Sequence, residues 1–74
     1  SLHAWRPRAP SDPGLAGARQ RLAQRWLAVG EERLRAGEVD AAAHAFASAR
    51  ALDPAVPGLD DFAARLARAG ASMP

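Results

Sequence analysis

The chain has no cysteine, so neither a disulfide framework nor a cysteine-based zinc site can staple it. Ile, Thr, Tyr, Asn and Lys are also missing, and valine occurs three times. So few β-branched residues exclude an all-β fold. No apolar run approaches the roughly 18 residues that a membrane-spanning helix requires. Without strands there is no strand-to-helix glycine loop to cradle a phosphate. Seventy-four residues are enough for one small domain at most, with a core too small for generous stability.

What remains is helix-forming. Twenty residues are alanine, and Leu and Arg supply eighteen more, so the chain is expected to be all-α. All ten basic residues are arginine. Arginine in place of lysine, with excess alanine, is the composition of a GC-rich genome. The charge is uneven. Residues 1–25 hold five arginines and one acid, net +4; residues 26–74 hold five arginines and seven acids, net −2. The basic end is able to meet phosphate, of nucleic acid or of lipid.

Pro7, Pro10 and Pro13 mark residues 1–13 as an extended, proline-rich linker. The chain opens on Ser directly into that linker, as a piece of a longer protein would. Ser11-Asp12-Pro13 is a helix start. The helical pattern then continues to Ala36, although Gly14 and Gly17 weaken its first turns and favour a start nearer Ala18. Leu15, Leu22 and Val29 recur every seven residues, with Ala18, Trp26 and Arg33 beside them. Ala23, Leu27, Gly30 and Leu34 form a second row, making the apolar arc wider than one partner helix covers.

Gly37 is expected to end this helix, and Asp40 to cap a second over Ala41–Leu52. The second helix carries Ala42, Ala45, Phe46, Ala49 and Leu52 on one side, with Phe46 as its single large knob. Asp53-Pro54 and Pro57-Gly58 break the chain. A third helix is expected from Leu59 to about Ala69, on a stripe of Leu59, Phe62, Ala63 and Leu66. Asp60 and Asp61 at its start and Arg65 and Arg68 towards its end suit the helix dipole. Gly70 is expected to stop it, leaving 71–74 as a tail.

Counted from Ala23, the special residues fall into a 34-residue register. Trp26, Gly30, Ala42, Phe46, Ala49 and Pro54 take the places that Trp, Gly, Ala, an aromatic, Ala and Pro hold in a tetratricopeptide repeat. Val29 takes the usual leucine place, and Arg33 stands where the family has Tyr. Over residues 23–56 the chain thus resembles one such repeat. The resemblance implies an antiparallel helical hairpin, here with a long first helix and a third, capping helix, over residues 14–70. It also implies a non-catalytic protein-interaction or scaffolding module. Carried over by offset, the family's concave face holds Gln24, Leu27, Glu31, Leu34 and Arg35. Leu27 and Glu31 stand where carboxylate-gripping members use Lys, Arg or Asn, so the partner expected is a helix or an apolar peptide. One repeat with a cap is short of the three or so that such arrays need. Neighbours from the parent protein are expected to cover the first helix, or else a second copy, as a homodimer.

Asp40, His44 and Ser48 have the residue types of a hydrolase triad. Spaced i, i+4, i+8 on one straight helix, they cannot converge on one reacting atom. His3 and His44 lack the spacing and the further ligands of a zinc site. Neither metal nor cofactor is expected. A helix-turn-helix nucleic-acid binder is the alternative, but the helix after the turn offers only Arg50 to a duplex. Contact of Trp5, Arg6 and Arg8 with lipid headgroups would add about 1 kcal/mol per charge.

Overall fold

The computed structural model describes residues 13–71, which form three helices and no strand. They are α1 (Pro13–Arg35), α2 (Val39–Leu52) and α3 (Leu59–Ala71). The linker expected over 1–13 lies outside the described residues except for Pro13, the first residue of α1. The two early glycines do not delay α1 to Ala18. Proline presets a helical φ at the first position, and the propensity cost of two glycines is about 2 kcal/mol at most.

Gly37, at φ +81°, turns the chain out of α1. Its N–H reaches the Leu34 carbonyl at 3.0 Å, and the Glu38 N–H reaches the Arg33 carbonyl at 2.9 Å. These are the two bonds of a Schellman motif. Glu38 then begins α2 at once, its carbonyl accepting the Ala42 N–H at 3.0 Å. Asp40 is therefore not the cap that the sequence suggests; it lies inside the first turn. Nor does Glu38 cap with its side chain, because its carboxylate accepts from Arg33 Nη1 at 3.2 Å across the turn.

α1 and α2 run antiparallel. Trp26 meets His44 edge to face, with ring centroids 5.9 Å apart, and Gly30 lies against Ala45. Two linked turns follow α2. Asp53 accepts the Val56 N–H with its carbonyl and the Ala55 N–H with its carboxylate, each at 3.0 Å. Val56 in turn accepts from Leu59 N–H at 3.2 Å, over Pro57 and a Gly58 at φ +89°. Proline followed by a positive-φ glycine is the pairing that a type II turn needs. The result drives Val56 inward and starts α3 against the hairpin, so Val56 and Leu59 are both buried.

The core consists of Ala23 and Leu27 from α1, Ala42, Ala45 and Ala49 from α2, Val56, and Leu59 and Phe62 from α3. No polar or charged residue among those described is buried. Phe62, at 0% exposure, is the largest fully buried side chain. Phe46, expected as the central knob, is half-buried beside it, with the rings 6.1 Å apart and tilted by 34°. The reason is reach. Small residues on α1 and α2 leave a hollow between the helices, and a side chain from α3 enters it more directly than one already on α2.

Gly30 is the close point of the fold. A Cβ there would lie 2.8 Å from Phe62 Cζ and 3.3 Å from Ala45 Cβ. Gly70, by contrast, stays helical and does not end α3, which runs on to Ala71. A glycine within a helix costs only about 1 kcal/mol relative to alanine, and nothing here demands a positive φ.

Two predictions follow from this packing. Phe62→Ala should cost about 3–5 kcal/mol, and Phe46→Ala clearly less, because only Phe62 is enclosed on all sides. Urea titrations of the two variants check the order; an equal or larger loss for Phe46→Ala would contradict it. At Gly30, alanine should destabilise despite its better helix propensity, since overpacking costs about 1–3 kcal/mol, and leucine should be worse. A rise in melting temperature for either variant would show that the ring of Phe62 gives way freely.

Candidate functional site

The residue types of a triad on α2 do not form one. Ser48 Oγ donates to the His44 carbonyl at 3.0 Å, a bond back to its own helix. The His44 ring stands against Trp26, and Asp40 lies a turn away at the head of α2. Among the described residues no group of three or more His, Cys, Asp or Glu side chains is placed to hold a metal ion. No described helix is long and apolar enough to cross a membrane.

The five residues expected to form a partner face do not share one surface. Gln24 and Arg35 are exposed, but Leu27, at 6% exposure, belongs to the core with Val56, Leu59 and Phe62. Leu34 is half-buried against that core. Glu31 accepts from Arg65 Nη2 at 3.2 Å, which ties α1 to α3. In this chain, then, α3 and its leading turn cover the row that an open concave face would need. Gly58 passes so near that a Cβ on it would be 4.0 Å from Leu27 Cδ1.

Arg65 thus faces inward along α1 and is not part of α3's outer face. Its guanidinium carbon lies 5.6 Å from the centre of the Phe62 ring, a cation–π distance. Its Nε is 3.2 Å from Asp61 Oδ2, close enough for ionic attraction but without hydrogen-bond alignment. Because Arg65 and Glu31 are 42% and 45% exposed, solvent limits their pair to about 1 kcal/mol or less. The larger effect of Arg65 is to lay its stem and head over the edge of the core.

The open apolar surface is the other row of α1. Leu22 and Val29 are each 43% exposed, and half-buried Trp26 lies between them in sequence, one turn from either. With Arg25 they line a shallow depression of about 220 Å³, walled mostly by apolar surface. A second depression of about 390 Å³, lined by Ala18, Arg21, Leu22 and Arg25, continues it towards the helix N-terminus. The sequence contains both rows of α1, and the signal that separates them is side-chain size. Ala23 and Gly30, seven residues apart, let other helices come close, whereas Leu22 and Val29 sit among arginines. Val29, which stands at the leucine place of the resemblance, faces outward because Gly30 takes the contact with α2.

Comparison of the chain with protein-family models, curated proteins and solved structures gives no match to any of them.

Leu27→Ala should therefore act on folding, costing about 2–5 kcal/mol, while Gln24→Ala should stay within about 0.5 kcal/mol. Chemical denaturation of both variants checks this; a Leu27→Ala protein of unaltered stability would place Leu27 on an open face after all.

Proposed function

We propose that the chain is a non-catalytic protein-interaction or scaffolding module, a tetratricopeptide-like hairpin of α1 and α2 closed by α3. The single observation behind it is the exposed apolar row Leu22–Trp26–Val29 on the longest helix. Clustered large apolar side chains in water are a standing cost, and they are the usual mark of a surface that another chain covers. Trp26 adds a large amphipathic ring already braced by His44, the kind of side chain that dominates binding energy at interfaces. The buried Ala42 and Ala49 and the tight Gly30 support a hairpin of the tetratricopeptide kind, since these are the register positions on which the resemblance rests. The covering surface is the outer row of α1, in place of the set Gln24, Leu27, Glu31, Leu34 and Arg35. A helix or an extended apolar peptide fits its shallow, elongated form.

The helix-turn-helix alternative fares less well. A recognition helix needs cationic or amide side chains near its N-terminus, and α2 begins with Val39, Asp40 and three alanines.

A photoreactive residue placed at Val29, in the cells that make the protein, tests the module. Expected are protein adducts at position 29 that vanish with Leu22→Gln, and none with the probe at exposed Ala64. Adducts to nucleic acid, or equal labelling from both positions, would count against it.

A further inference from the structure

We infer that the outer row of α1 receives an acidic amphipathic helix from another protein. The inference rests on the interaction-module function proposed above and adds the chemistry of the partner. Ala18, Leu22, Trp26 and Val29 recur at helical spacing over about 16 Å of α1, at 1.5 Å per residue. The two depressions along this row share Leu22 and Arg25, so they adjoin along the helix. A row of about three turns fits the ridge of side chains at i, i+4 and i+7 on another helix.

Charge selects the kind of helix. From Pro13 to Val29, α1 carries Arg19, Arg21 and Arg25 and no acid. Arg21 and Arg25 line the two depressions and form no ion pair among the described residues, whereas Arg19 lines a separate depression with Leu52 and Asp53. The neighbouring charges on α1 are different. Glu31 is engaged by Arg65 on the far side, and Arg33 by Glu38 across the turn. Glu32 lies beyond the end of the row. A partner with acids flanking its apolar stripe therefore meets unopposed guanidinium groups, while a basic partner meets like charge. A second copy of this chain would bring the same two arginines, Arg21 and Arg25, to the seam and offer Glu32 as its one unengaged acid on α1. A duplex would satisfy the arginines but leave Leu22 and Val29 facing phosphates and water, with no apolar burial.

The test uses the 74-residue chain and three fluorescein-labelled helical peptides with one common leucine stripe and flanks of Glu, Gln or Lys. Anisotropy titrations should give the tightest binding for the Glu peptide, and binding of the Lys peptide weaker by roughly tenfold or more. The gap should shrink at high salt and in Arg21→Gln/Arg25→Gln. Leu22→Gln/Val29→Gln should weaken the Glu peptide by about tenfold as well, with an unchanged thermal melt, because both residues are already half in water. Equal binding of the Glu and Lys peptides, binding indifferent to Leu22→Gln/Val29→Gln, or no binding by any peptide would overturn the inference. So would a duplex DNA that displaces the Glu peptide, or a dimer in sedimentation that Leu22→Gln dissolves and the Glu peptide cannot displace. Protein adducts at position 29 with no preference for the Glu peptide would sink the acidic helix alone and leave the interaction module standing; the absence of such adducts would sink both.

Discussion

The fold turns on one missing side chain. At Gly30 the backbone of α1 comes so close to α2 and α3 that a single added carbon would collide with Phe62 and crowd Ala45. Because nothing projects there, three helices share one contact point. The phenyl ring closes what would otherwise be a hollow among alanines. Close packing of this sort gains many small dispersion contacts at once, and it tolerates little change in volume. The small residues at Ala23, Ala42 and Ala49 extend the same close approach along the hairpin.

The turns serve that contact. The Schellman bonds at Gly37 reverse the chain within a few residues, so α2 returns in the register that sets Ala45 against Gly30. After α2, the coupled turns through Asp53, Val56 and Gly58 do more than break a helix. They bury Val56 and Leu59 and fix the direction in which α3 departs, so Phe62 enters between the other two helices. Arg65, one turn later, lies over the ring and links α3 to Glu31. That pair is weak as an ion pair, but it orients a long side chain over apolar surface.

Placing α3 on one row of α1 has a consequence for the other. α2 and α3 cover the side marked by Ala23, Leu27 and Gly30, and two short helices cannot also reach Leu22 and Val29. The same economy of small residues that makes the core tight therefore leaves larger ones outside. Their arginine neighbours keep the row hydrated while it is free and give it a sign that a partner can read.

Much of this was written in local sequence. Proline, glycine and aspartate positions announced three helices and two breaks, because turn geometry depends on a residue's own φ and hydrogen-bonding groups. Heptad spacing announced two apolar rows on α1, because a helix wheel is a local property. Helix ends were less legible: Asp40 has the chemistry of a cap, yet the Schellman turn had already started α2 at Val39, and Gly70 had no need to be a stop. Which phenylalanine fills the core could not be read locally, and the two rows of α1 differ locally in side-chain size alone. Phe46 and Phe62, like Leu27 and Leu22, are equivalent by composition and spacing. Only the path of α3 across the hairpin, set by contacts distant in sequence, decides that Phe62 and Leu27 lie inside and that Leu22 and Val29 face out.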